Sequence, residues 1–128
     1  MSHRILVCDD ESHITLAVSM KLIRAGYQVV TASDGQAAWE IIQRDPPDLL
    51  LTDCQMPRLD GLGLCRLIRQ HEATRHLPIL MLTAKGYELD AELIHGELGI
   101  AELIVKPFSP RELVQTVAST LAGQTVSA

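Results

Sequence analysis

Four short apolar runs punctuate the chain without a polar break: Ile5-Leu6-Val7-Cys8, Leu49-Leu50-Leu51, Ile79-Leu80-Met81-Leu82 and Leu103-Ile104-Val105. A strand with one wet face alternates apolar and polar residues, so an unbroken run reads as a strand buried on both faces. Tyr27-Gln28-Val29-Val30-Thr31-Ala32 is a fifth, more polar strand, expected nearer an edge. Helical spacing fills the intervals. Ile14, Ala17, Val18, Leu22 and Ala25 form one stripe that stops at Gly26. Ala37, Ala38, Trp39, Ile41 and Ile42 follow the turn signal Asp34-Gly35, and Leu62, Leu64, Leu67 and Ile68 follow Asp60-Gly61. Leu89, Leu93, Ile94 and Leu98 form a shorter pattern ending near Gly99. In Ser109-Pro110-Arg111-Glu112 a capping serine, a proline at the first helical position and a glutamate three residues after the cap start the last helix.

Strict alternation of strand and helix over five units predicts a doubly wound α/β fold, a parallel sheet with helices on both faces, because right-handed crossovers leave few alternatives. The strand order stays open on this evidence. A chain of 128 residues is expected to form one domain with a core large enough to fold without staples. Residues 1–122 are assigned to that domain, and 123–128, small and polar, to a short flexible C-terminal tail.

Functional groups in such sheets gather at the carboxyl ends of the strands. The first strand runs into Asp9-Asp10-Glu11 and the third into Asp53. Should these strands be neighbours, Asp9, Asp10 and Asp53 converge, and two such charges ~4 Å apart repel by about 4 kcal/mol at an effective dielectric of 20. A cluster of that kind needs a cation, and hard oxygen donors on rigid strand ends suit Mg²⁺. The fourth strand ends in Thr83 and the fifth in Lys106-Pro107, which adds a hydroxyl and an ammonium to the same edge. Carboxylates, hydroxyl and lysine together describe phosphoryl handling. Asp53, alone at its strand end, is the candidate nucleophile, whereas the adjacent Asp9 and Asp10 are better placed to hold the metal.

Composition removes several other classes. Eleven basic and sixteen acidic residues give a net charge of −5, without the Lys/Arg cluster that a phosphate backbone requires, so direct nucleic-acid binding is not expected. No stretch approaches the ~18 apolar residues of a membrane span. Cys8, Cys54 and Cys65 are odd in number, lack CxxC spacing and follow no signal peptide, and they read as small buried hydrophobes of a reduced, cytoplasmic protein. The five histidines are scattered and form no metal-binding interval.

These motifs, Val7-Cys8-Asp9-Asp10-Glu11, Asp53-Cys54-Gln55-Met56-Pro57 with Asp60-Gly61, Leu82-Thr83-Ala84 and Val105-Lys106-Pro107-Phe108, are spread over nearly the whole chain. The sequence thereby resembles the receiver domains of bacterial two-component response regulators. The resemblance implies a flavodoxin-like five-stranded sheet of order 2-1-3-4-5, which makes the first and third strands neighbours. It implies that Asp53 is the phosphoacceptor. It gives Asp10, Asp53 and the backbone carbonyl of Gln55 as Mg²⁺ ligands, Asp9 acting mainly through metal-bound water. Thr83 and Lys106 would contact the phosphoryl oxygens, and the Lys106-Pro107 bond would be cis. It also implies a sensor histidine kinase or phosphotransfer protein as donor, and a monomer or a phosphorylation-dependent dimer. The domain is thus expected to be a signalling phosphoacceptor that assists its own phosphorylation and dephosphorylation rather than a conventional enzyme.

The sequence departs from the family pattern at Ile104. Receivers often carry Tyr or Phe two residues before the strand-five lysine, so transmission here must use backbone and loop shifts or another ring such as Tyr87. Gln55 and Lys85 occupy positions that resemble tuners of phosphate lifetime. Rival readings fit less well. A haloacid-dehalogenase-type phosphatase expects a second carboxylate where Gln55 stands, and a flavin carrier needs an anion cradle where Asp9-Asp10-Glu11 would repel one. A phosphate-independent module would not need the full set Asp10, Asp53, Thr83 and Lys106. No Walker or kinase glycine-rich loop is present, so the phosphoryl group must come from a partner. The output is expected either through protein contact alone or through an effector in a longer regulator.

Overall fold

A computed structural model of the chain describes residues 3–84 and 90–126, with side chains described up to Gly123. In chain order the elements are β1 (Arg4–Cys8), α1 (Ser12–Arg24), β2 (Gln28–Ala32), α2 (Gly35–Arg44), β3 (Leu49–Asp53), α3 (Gly61–Gln70), β4 (Ile79–Ala84), a π-helical segment (Glu92–Glu97), β5 (Glu102–Lys106) and α4 (Pro110–Val126). All strand pairs are parallel and the sheet order is β2-β1-β3-β4-β5. The flavodoxin-like order therefore holds, and β1 and β3 are neighbours in register Ile5 to Leu49 through Cys8 to Thr52.

Each central strand divides its side chains between two cores because successive residues point to opposite faces. Leu6, Cys8, Leu50, Ile79 and Met81 face α2 and α3, where Ala38, Trp39, Ile42, Leu64, Cys65 and Ile68 meet them. Ile5, Val7, Leu49, Leu51, Leu80 and Leu82 face α1 and α4 and pack on Val18, Leu22, Leu113, Val117 and Leu121. This is why β1, β3 and β4 carry no polar break.

The run Leu103-Ile104-Val105 does not follow that rule. β5 is one edge of the sheet, as β2 is the other, and in β5 Leu103 and Ile104 are only partly buried and Val105 is 50% exposed. Apolar content alone did not report its lateral position, since β4 covers one side of β5 and, among the described residues, no strand covers the other.

Helix starts follow local chemistry. The Asp34 carboxylate accepts the Ala37 N–H at 2.8 Å and that of Asp60 accepts the Gly63 N–H at 2.8 Å, so both turn signals are side-chain N-caps. Ser109 Oγ accepts the Glu112 N–H at 3.4 Å at the start of α4. Gly26, at φ +103°, lets the chain leave α1 in a conformation that side chains with a Cβ resist.

Two expectations change. The α4 helix continues to Val126 instead of giving way to a tail at 123, because no proline interrupts it and the glycine at 123 only weakens a helix by ~1 kcal/mol; residues 127 and 128 lie outside the described residues. The fourth helical pattern is a π-helical turn over Glu92–Glu97, with the Leu98 N–H bonded to the Leu93 carbonyl at 2.8 Å. It still carries Ile94 and Leu98 onto the α2/α3 side of the sheet. Leu89, Tyr87 and Lys85, singled out from the sequence, lie outside the described residues. Cys8, Cys54 and Cys65 are buried as expected, and burial pushes the Cys8 and Cys65 thiols up to about 12. Among the described residues no helix is long and apolar enough to cross a membrane.

Candidate functional site

The carboxyl ends of β1, β3, β4 and β5 deliver Asp9, Asp53, Thr83 and Lys106 to one edge of the sheet. Asp9 follows β1 directly. Its N–H donates to the Ala32 carbonyl at 3.2 Å, and its Oδ1 accepts the Glu11 N–H at 2.9 Å. Thr15 Oγ1, one turn into α1, donates to the Asp9 carbonyl at 3.3 Å. With these bonds Asp9 is only 2% exposed, whereas the next residue, Asp10, is exposed.

Asp53 ends β3 and is 6% exposed. Its backbone is gripped from both sides. Thr52 Oγ1 donates to its carbonyl at 3.0 Å, the next N–H, of Cys54, donates to Leu82, and the Gly61 N–H returns to the Cys54 carbonyl at 2.8 Å. A Cβ at position 61 would fall on the Asp53 carbonyl oxygen, so glycine is required for this close approach.

One ligand oxygen each from Asp9, Asp10 and Asp53 lie within 4.8 Å of one another. Lys106 Nζ stands 3.1 Å from Asp9 Oδ2, 3.1 Å from Asp53 Oδ1 and 3.1 Å from Glu11 Oε1. Among the described residues, Asp9 Oδ2 is paired in charge by that contact yet accepts no aligned hydrogen bond, and Thr83 Oγ1 is buried with no hydrogen-bond partner. Buried polar atoms are normally satisfied, and an orphan at a strand end marks a place where a ligand completes the bonding. The donor set is all oxygen and strongly anionic, which fits a hard divalent cation of the Mg²⁺ type. Gln55, two residues past Asp53, lies exposed in the loop before α3.

The electrostatics record this crowding. Burial, and then the Asp9 charge, raise the Asp53 carboxyl above its ordinary value despite Lys106. Burial likewise raises Asp9 against the pull of the Glu11 N–H and Lys106. Burial works to lower the Lys106 ammonium, but its contacts with the Asp9, Asp53 and Glu11 carboxylates prevail and raise it. A carboxyl raised by folding binds its proton more tightly in the native state, so stability falls as pH rises from the unfolded value through the raised native one. Asp53→Asn is therefore expected to melt a few degrees above the wild type in chelator at about pH 7, with the gap closing toward about pH 4. Thermal melts across that range check it, and a lower melting point for the variant at neutral pH would contradict the assignment of strain to Asp53.

Asp9, Asp10, Asp53, Thr83 and Lys106 were legible at this edge from the sequence, whereas Glu11 counted only as one of its acids, with no role of its own. Glu11 was visible as the third acid of a run. Its partner Lys106 lies 95 residues away and was not visible. Ile104 is partly buried on the α1/α4 side, paired in register with Leu82.

Comparison with known proteins agrees with this geometry. A family model described as the response regulator receiver domain matches residues 5–118. The alkaline phosphatase synthesis transcriptional regulatory protein PhoP of Bacillus subtilis is 41% identical over 128 residues, all of this chain and 52% of that protein. The probable transcriptional regulator ycf27 of Cyanophora paradoxa is 43% identical over 118 residues, 92% of this chain and 48% of that protein. The chain thus spans about half the length of both curated relatives. The chemotaxis response regulator CheY4 of Vibrio cholerae superposes with a TM-score of 0.86 at 31% identity, covering 94% of this chain and 99% of its own.

Proposed function

The chain belongs to the receiver domains of two-component response regulators, and from that premise we propose that Asp53 is its phosphoacceptor, with Asp9 and Asp10 holding Mg²⁺ and Thr83 and Lys106 receiving the phosphoryl oxygens. The observation that carries this reading is the juxtaposition of the buried Asp53 carboxylate, the Lys106 ammonium 3.1 Å from it and the unpartnered Thr83 hydroxyl at the adjoining strand end.

Asp53 Oδ attacks the phosphorus of a phosphohistidine on a kinase or phosphotransfer partner. An O–P bond forms and the donor P–N bond breaks, its electron pair returning to the ring nitrogen, which takes a proton. Lys106 neutralises charge on the transferring oxygens, and Thr83 donates the hydrogen bond it otherwise lacks. A bound divalent cation, held by Asp9, Asp10, Asp53 and the Gln55 carbonyl, would supply the remaining positive charge. Hydrolysis reverses the modification when water attacks phosphorus, the Asp53 O–P bond breaks and the carboxylate is regained.

Leu16, Met20 and Ile23 lie exposed along α1, 63%, 49% and 57% respectively, at helical spacing beyond Glu11. That stripe supports docking of the phosphohistidine protein next to the site. The phosphorylated form signals by differing from the unmodified one in affinity for a protein target, since a modification shifts an equilibrium only through such a difference.

The test is labelling by acetyl phosphate, read by intact mass. The wild type should gain one phosphoryl group only with Mg²⁺ present. Asp10→Ala should lose Mg²⁺ affinity and labelling together, each by roughly tenfold or more. Labelling lost with metal affinity intact would remove Asp10 from the ligand set.

A further inference from the structure

Lys106 has three N–H donors and three carboxylate oxygens around it, on Asp9, Asp53 and Glu11, all at 3.1 Å. Of these contacts the one to Glu11 Oε1 has hydrogen-bond alignment. We propose that Glu11 is a positioning residue that restrains Lys106 on the α1 side of the site and so slows phosphoryl uptake at Asp53, an inference that rests on the phosphoacceptor reading above.

Glu11 is well held for this task. Its N–H is fixed on Asp9 Oδ1, and its carbonyl accepts the Ile14 and Thr15 N–H groups and the Thr15 hydroxyl. It stands at the N-cap position of α1 without capping the helix through its side chain, so the carboxylate is free to reach across to β5. Its second oxygen lies 3.6 Å from His13 Nε2. The backbone is anchored, and the reach to Lys106 depends on the full length of the glutamate side chain.

Phosphorylation redistributes charge around the lysine. As the Asp53 O–P bond forms and the bridging P–O bond of acetyl phosphate breaks, acetate leaves with the electron pair. Negative charge then moves outward from the Asp53 carboxylate to the phosphoryl oxygens. Lys106 must turn a donor toward those oxygens. Asp9 is fixed and buried, so the contact that competes is the aligned one with the half-exposed Glu11, which engages a donor the incoming group needs.

Two variants separate contact from charge. Glu11→Gln removes the charge and weakens the bond. Glu11→Asp keeps the charge but is one methylene shorter, and at an N-cap its carboxylate has the helix N–H groups as closer partners. Both should raise the maximal labelling rate with acetyl phosphate at saturating Mg²⁺ by about three- to tenfold, with the KM for donor changed less. A purely structural role would not accelerate the reaction. Acceleration by Glu11→Gln alone would mean that Glu11 only repels the anionic donor, and acceleration by neither would mean that Lys106 is not restrained. Each result overturns the inference while leaving the phosphoacceptor reading intact. Absence of wild-type labelling, or equal labelling of Asp53→Asn, would instead overturn that reading.

Discussion

Asp53→Asn protein incubated with Mg²⁺ and acetyl phosphate is expected to gain no phosphoryl group while the wild type gains one, a loss of roughly a thousandfold or more in labelling rate. An amide keeps the shape of the carboxylate and its place at the end of β3, but its oxygen lacks the charge that makes it a nucleophile. The neighbours offer no substitute. Asp9 Oδ1 is occupied by the Glu11 N–H, and Asp10 follows the end of β1 as an exposed residue beside the site rather than ending a strand within it. The same replacement removes a buried charge disfavoured first by desolvation and then by repulsion from Asp9, so the variant should fold at least as well as the wild type. Loss of labelling then cannot be blamed on unfolding. Intact mass and a thermal melt on the same sample decide the matter, and equal labelling of the variant would move the nucleophile elsewhere.

Arg69→Ala is expected to lower stability by about 3 kcal/mol without touching the site. The Arg69 guanidinium donates from Nε to the Leu98 carbonyl at 2.7 Å, from Nη1 to Arg75 at 2.9 Å and Leu77 at 2.8 Å, and from Nη2 to Gly99 at 3.2 Å. It ties α3 to the segment entering β4 and to the segment entering β5. Burial pulls its pKa down from the ordinary arginine range, a sign of how far it is withdrawn from water. Alanine would leave four carbonyls to find new partners. Arg69→Lys should recover little, since an ammonium is a point donor and cannot span the positions a planar fork reaches. Urea or thermal unfolding measures both, and a loss under about 1 kcal/mol would show that water replaces the guanidinium at small cost.

The difference between these two residues marks how far the sequence could be read. Asp53 stood out because a charged residue ending an apolar run is a local anomaly. Arg69 did not, because a basic residue in the last turn of an amphipathic helix is ordinary on a solvated face. Asp34, Asp60 and Ser109 were equally legible, since a cap and the N–H it accepts are three residues apart. Strands β1, β3 and β4 were legible because burial on both faces writes itself into consecutive residues.

By itself the sequence determined the alternation of strands and helices, the helix starts, and the set of groups at the strand ends. Each depends on interactions within about one turn of helix or a few residues of strand. Tertiary structure alone decided that β5 is a half-buried edge, that Thr83 has no hydrogen-bond partner among the described residues, and that Glu11 bonds to Lys106. Those facts come from which distant segments meet, and the closure of a 95-residue separation between Glu11 and Lys106 is set by the packing of the whole sheet rather than by any pattern near either residue.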